Sequence, residues 1–216
     1  MKSIIVYVHE KNGSASEAEH YRPLFPDGEV VGFDYRADTP WEFRDEFRRF
    51  FSSLPPDLPV FLIANSIGAY YVMNAGIDDR IGKAWFVSPV VDLEKLIRGR
   101  MALAGVTEER LRKQGVVPTE SGEDLSWEYL SYVRSHPIRW NVPTAILYGA
   151  KDALISRETV SAFADAHCAE LTVMEAGEHW FHTPEQMAFL DDWIRSSASG
   201  LREGDSVAAA TLLGLL

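Results

Sequence analysis

Ser66 stands at the joint between an apolar run, Val60 to Ile63, and a helix-compatible segment, Ile67 to Ala75. Ala64 lies two residues before it and Gly68 two after. A short apolar run feeding directly into a helix reads as a buried parallel strand and its crossover helix. The small-x-Ser-x-Gly spacing suits a turn so sharp that larger flanking side chains would collide with the strand or the helix. Such a turn raises the hydroxyl above the sheet and aims the N–H groups of the helix start at negative charge. The chemistry this favours is attack by Ser66 on a carbonyl. A plain strand–turn–helix joint has the same five residues, so a base, an acid and an oxyanion site must come from elsewhere in the chain.

For the base, Gly177-Glu178-His179-Trp180-Phe181-His182 follows the last strand-like run and precedes the last helical one. A histidine there can lean over the sheet end toward a serine. His179 and His182 both qualify by location, and His179, nearer the strand end, is favoured. For the acid, Tyr148-Gly149-Ala150-Lys151-Asp152 leaves another strand through a glycine. A carboxylate at Asp152 can accept the second imidazole N–H, fixing the tautomer and stabilising the imidazolium that forms. Asp34 and Glu178 compete for this role, but neither combines the glycine turn with the chain position. For the oxyanion, the backbone N–H of Ile67 is one donor, and Lys11, two residues after His9 at the end of the first strand, supplies the other. Such donors are worth about 2.7–4 kcal/mol each in the transition state.

Strands and helices alternate along the chain, which signals an α/β protein: a mostly parallel, twisted sheet of about six strands with helices on both faces. The strands read as Ile4–Val8, Glu29–Phe33, Val60–Ile63, Ile81–Pro89 (closed by the proline), Pro143–Tyr148 and Leu171–Met174. Ser16 is positioned to cap a short helix over Glu17–Tyr21. Thr39-Pro40-Trp41-Glu42 and Thr183-Pro184-Glu185-Gln186 carry helix-start signals. Ser66, Asp152 and His179 then all follow strand C-termini, where open α/β sheets hold their sites. Residues 1–89 and 142–197 form the expected core. Residues 90–141 are too long for a simple crossover and read as a small helical cap insertion over the strand ends. Residues 198–216 follow a serine-rich linker and end in an apolar tail.

The net charge of the 216 residues, 21 − 32 = −11, disfavours nucleic acid and anionic membrane as partners. One cysteine, Cys168, allows no internal disulfide, and no Cys/His zinc spacing occurs. No run approaches a membrane span. The start Met1-Lys2-Ser3 leads directly into Ile4–Val8, which is too short for a signal-peptide core, so a cytoplasmic location is expected.

With Ser66, Asp152 and His179 in that order, the chain resembles the α/β-hydrolase fold superfamily, among its small bacterial serine-esterase-like members, over roughly Ile4 to Arg195. Ala-Asn-Ser-Ile-Gly, Tyr-Gly-Ala-Lys-Asp and Gly-Glu-His carry the resemblance. It implies a minimal sheet that begins at the oxyanion strand, an acyl-enzyme mechanism, a small-molecule ester-type substrate, and no cofactor or metal. Thioesterase, C–C hydrolase and peptidase activities share the fold, and so does a catalytically weak binding or interaction protein. The chain departs from the family where the first-strand loop usually begins His-Gly. Here it begins His9-Glu10, Asn12 replaces a later glycine, and Gly13 is kept. A carboxylate at Glu10 would oppose developing negative charge or favour a cationic substrate. His9 and Glu10 on this loop, Trp127, Tyr129, Leu130, Tyr132 and Val133 on the cap, and Trp180 beside His179 are the candidates for the substrate pocket, the alternative for the cap helix being that it packs this apolar face on the body. The apolar tail suggests self-docking or a homodimer.

Overall fold

A computed structural model describes residues 3–120 and 122–199. The chain runs through β1 (Ser3–Val8), α1 (Ala18–Tyr21), β2 (Gly28–Gly32), α2 (Pro40–Ser53), β3 (Val60–Asn65), α3 (Ile67–Met73) and β4 (Ile81–Val87). A longer segment follows, with α4 (Leu93–Leu103), α5 (Glu108–Gln114), the short strands β5 (Val116–Val117) and β6 (Leu125–Ser126), and α6 (Trp127–Ser135). Then come β7 (Thr144–Gly149), α7 (Arg157–Ala166), β8 (Glu170–Met174) and α8 (Pro184–Ala198). The six longer strands form one sheet in the order β2-β1-β3-β4-β7-β8, with every neighbouring pair parallel.

Because side chains alternate across a strand, the central strands, buried on both faces, feed two cores. Val6, Leu62, Phe86 and Ile146 point to one face, where Phe43, Phe47 and Phe51 of α2, the buried side of α3, and Val160 of α7 cover them. Tyr7, Ile63, Trp85 and Leu147 point to the other, covered by Tyr21 of α1 and Leu190, Trp193 and Ile194 of α8. Thr39 and Thr183 cap α2 and α8, each followed by Pro at the first helical position. Edge positions differ slightly from expectation. β2 ends at Gly32, although the Phe33 amide still donates to Tyr7 O at 2.8 Å. Ser14, not Ser16, is the first cap. Its hydroxyl accepts from Ser16 N while Glu17 reaches back to its amide, closing a capping box around the turn Ala15–Glu17.

The segment between β4 and β7 does not have a core of its own. Leu93, Ile97, Met101, Leu111, Leu125 and Leu130 belong to the same buried cluster as the α2/α3 face of the sheet. It also holds an antiparallel pair, β5 with β6, that no alternation in two-residue strands could reveal. The expected serine linker is partly overturned, because α8 runs on to Ala198. Ser197 is anchored there: its hydroxyl accepts from Trp85 Nε1 at 2.8 Å and its carbonyl from Lys83 Nζ at 2.7 Å. The apolar tail beyond it, and any self-docking or dimer contact through it, lies outside the described residues. Among the described residues no helix is long and apolar enough to cross a membrane.

Candidate active site

Ser66 sits at φ 48°, ψ −119°, a backbone conformation that L-residues avoid and that stores about 1–3 kcal/mol. The neighbouring strand holds it there. Its amide donates to Val87 O at 3.0 Å, and its carbonyl accepts from Val90 N at 3.0 Å. The flanking small residues have separate reasons. Ala64 is completely buried in β3. At Gly68 a Cβ would come within 2.6 Å of His9 O and 3.0 Å of Val8 Cγ1, because the first turn of α3 lies against the end of β1. The glycine therefore brings the Ser66 helix start beside the His9 loop.

His179 and Asp152 meet Ser66 in a hydrogen-bonded chain. Ser66 Oγ is 2.8 Å from His179 Nε2, and His179 Nδ1 is 2.7 Å from Asp152 Oδ2. A carboxylate only accepts, so Nδ1 donates to Asp152 and Nε2 is left to accept from the serine. The other carboxylate oxygen accepts from Leu154 N at 2.7 Å and Ile155 N at 3.0 Å, and the Asp152 side chain is fully buried. The two loops that carry Asp152 and His179 are held back to back. Lys151 N donates to Gly177 O at 2.8 Å. A Cβ on Gly149 would meet Glu178 O at 2.4 Å. His182 takes no part: its Nδ1 donates to Trp180 O at 2.8 Å and it is exposed.

The loop after β1 is fixed through one carbonyl. Glu10 O accepts from His9 Nδ1 at 2.7 Å and from Gly13 N at 3.0 Å. His9 is itself held by a ring stack on Tyr35, centroids 4.1 Å apart, and by Tyr35 Oη donating to His9 O at 2.9 Å. In a trans peptide the carbonyl and the following N–H point in opposite directions. Pinning Glu10 O therefore also aims the Lys11 N–H, which has no acceptor among the described residues. Ile67, the first residue of α3, likewise has an amide without an intrahelical acceptor. Asn12 adopts φ 65°, the conformation for which glycine is the usual choice and asparagine the common substitute. That accounts for the missing glycine without a change in the turn.

Glu10 lines the same cleft. It is half-buried, and it has no hydrogen-bond or ion-pair partner among the described residues. Burial pushes its pKa up, with His179 pulling the other way. Behind Ser66 lies a chain that sequence reading missed. Tyr7 Oη donates to Glu17 Oε2 at 2.5 Å and accepts from Asn65 Nδ2 at 3.0 Å. Burial and the neighbouring carboxylate push the Tyr7 pKa far up, so it stays a neutral phenol. The capping-box spacing Ser14 to Glu17 was the one available signal.

The cleft over Ser66 has a volume of about 860 Å³. His9, Glu10, Ile67 and His179 line it beside Ser66, Tyr35 and Tyr71 come from the body, and Leu96, Ile97, Leu125 and Tyr129 come from the inserted segment. That segment is tied to the β1 loop by an ion pair, Lys11 Nζ lying 2.9 Å from Glu123 Oε1, and Arg100 within the segment pairs with the other oxygen of Glu123. Burial opposes the charge on Glu123, but the two cations hold its pKa below the ordinary range. Five expected pocket residues are corrected, because Trp127, Leu130, Tyr132, Val133 and Trp180 do not line the cleft. Leu130 and Val133 belong to the main core, and Trp127 packs against it. Tyr132 stacks on His136 at 3.9 Å and donates to Asn74 Oδ1 at 2.9 Å. Trp180 points to solvent, 62% exposed, with its ring on His182. Among the described residues no group of three His, Cys, Asp or Glu is placed to hold a metal ion.

No protein-family model and no curated protein sequence matches the chain. Solved structures do. Est1E from Butyrivibrio proteoclasticus superposes with a TM-score of 0.74 at 16% identity, over 90% of this chain and 86% of that one. The mouse alpha/beta hydrolase domain-containing protein 10 gives 0.73 at 16% identity, covering 92% and 90%. The thioesterase domain from the curacin biosynthetic pathway gives 0.57 at 18% identity, covering 89% and 90%. At these identities the likeness is one of fold, and the chain has the α/β-hydrolase fold.

Proposed function

We propose that this α/β-hydrolase-fold chain is a serine hydrolase that cleaves a small carboxylic ester through an acyl-enzyme. One observation carries the reading. A serine at a positive-φ strand–helix joint lies 2.8 Å from an imidazole nitrogen whose partner nitrogen lies 2.7 Å from a buried carboxylate. In the proposed reaction Ser66 Oγ attacks the ester carbonyl as His179 Nε2 takes its proton. Asp152 stabilises the resulting imidazolium and keeps its tautomer. The amides of Ile67 and Lys11 bind the oxyanion. The imidazolium then protonates the leaving alkoxide. A water molecule, deprotonated by His179, attacks the acyl-Ser66 carbonyl, and collapse of the second oxyanion breaks the bond to Oγ, which takes its proton back from the His179 imidazolium as the acid is released.

The ester assignment takes support from the names of fold neighbours: Est1E, and the esterase domain of a Rhodothermus marinus protein. A thioester, C–C or peptide substrate would use the same first steps. The single, exposed Cys168 is in keeping with a reducing, cytoplasmic setting. Turnover of short p-nitrophenyl esters tests the proposal. Ser66→Ala is expected to lower kcat by about 10⁴-fold or more, whereas substitution of the distant Ser52 leaves it unchanged. Absence of turnover in the unmodified protein across ester and thioester panels would reject it.

A further inference from the structure

We infer that the site selects esters that carry an ammonium group, and that Glu10 is the residue that recognises it. The inference rests on the hydrolase reading of Ser66 and names the substrate class of that site.

Four acidic residues line the cleft, and three have their charge accommodated. Glu123 is paired with Lys11 and Arg100. Asp38 and Asp124 are exposed to water. Glu10 alone is half-buried with no partner for its carboxylate among the described residues. A carboxylate taken partly out of water without a hydrogen bond or counter-charge is unfavourable, and a cation supplied from outside relieves it. The cationic side chains at the cleft do not meet this need: His179 and His9 offset only part of the cost of burying Glu10. Lys11 and Arg100 converge on Glu123, and Arg36 is exposed.

The position of Glu10 makes the selection kinetic as well as a matter of affinity. Its carbonyl fixes the turn that aims the Lys11 amide, so its side chain lies on the proposed oxyanion loop. An uncompensated negative charge there opposes the charge that develops on the ester oxygen. An ammonium on the substrate, seated against Glu10, cancels that opposition in the transition state. A neutral ester lacks this compensation. The rest of the wall suits an amine: Tyr71 Oη and Tyr129 Oη lie 3.2 Å apart, and both residues line the cleft with Tyr35. Aromatic rings and phenolic oxygens both accept a cation well.

Isosteric substrate pairs test this. Choline butyrate is compared with 3,3-dimethylbutyl butyrate for the alcohol side. The p-nitrophenyl ester of β-alanine is compared with p-nitrophenyl butyrate for the acyl side. The expected result is that the cationic member of at least one pair is preferred by about tenfold in kcat/KM. In Glu10→Gln that preference shrinks to within about twofold, and the neutral member is turned over faster than by the unmodified protein. Glu10→Ser serves as a second neutral variant should Glu10→Gln fold poorly. Equal loss on both members of each pair, or no cationic preference in the unmodified protein, overturns the inference. Calorimetric binding of both members of each pair to Ser66→Ala, with and without Glu10→Gln, separates this failure from that of the hydrolase reading. A charge preference in binding that disappears with Glu10→Gln, in a protein without turnover, sinks the hydrolase reading and keeps the recognition. Binding indifferent to Glu10 sinks the recognition whatever the turnover.

Discussion

Two carboxylates act on His179 from two strand-end loops, and they are treated in opposite ways. Asp152 follows β7 with its side chain completely buried, accepting from Leu154 N, Ile155 N and His179 Nδ1. Glu10 follows β1 and is half-buried with nothing bound to it among the described residues. Every lone pair that matters on Asp152 is occupied, so its loop has one arrangement. The Glu10 loop is held just as firmly, but through its backbone: His9 Nδ1 and Gly13 N both grip the Glu10 carbonyl and leave the side chain uncommitted. On the proposed reading, the difference separates a carboxylate that orients the protein's own base from one that meets a cation on the substrate.

The largest expected effect tests the satisfied member. Asp152→Asn keeps an acceptor for Leu154 N and Ile155 N but turns a donor toward His179, favouring the wrong tautomer. A loss of about 10⁴-fold in kcat is expected with the fold intact, read from p-nitrophenyl butyrate hydrolysis and circular dichroism. A loss below tenfold would remove the distinction between the two carboxylates. Next in size, the two loops should answer differently to glycine chemistry. Gly149→Ala drives a Cβ to 2.4 Å from Glu178 O, so a destabilisation of at least about 1–3 kcal/mol is expected. For a chain of this length that lowers Tm by roughly 2–4 °C per kcal/mol. Asn12→Gly, at φ 65°, should leave Tm within about 2 °C or raise it, because glycine accepts that conformation freely.

Smaller again is the wall of the cleft. Tyr129→Ala should raise KM several-fold, about the loss of one aromatic contact, whereas Trp180→Ala should not move it. Equal effects would place the substrate outside the cleft described. The smallest effect is expected from Glu123→Gln, which breaks the bridge between Lys11 and Arg100. Partly exposed pairs of this kind contribute about 0–1 kcal/mol, and the Lys11 amide is aimed by the Glu10 carbonyl. A change in kcat beyond about threefold would show that the bridge, and not the turn, positions that loop.

Residues whose constraint is local were legible in the sequence. Ser66 announces itself because a sharp strand–helix turn tolerates only small neighbours, and Ala64 and Gly68 supply them. Asp152 and His179 follow strands through Gly149 and Gly177, whose close contact leaves no room for a side chain. What was hidden depends on how elements meet. The Glu17–Tyr7–Asn65 chain joins three segments that only the finished sheet brings together. Of the pocket candidates on α6, Tyr129 alone lines the cleft, and helical phase decides which. Leu130 and Val133 turn into the core, Tyr132 is carried round to Asn74, and Tyr129 is left facing the cleft. Periodicity marks an apolar face but not which large aromatic sits at its margin.

Covalent labelling by a fluorophosphonate, read by intact mass and peptide mapping, tests the central claim most directly. A serine activated by His179 should take up one equivalent at Ser66. Ser66→Ala should abolish that adduct, and His179→Ala should slow it by orders of magnitude. A folded protein that takes up no label, or takes it up on a serine other than Ser66, would contradict the account.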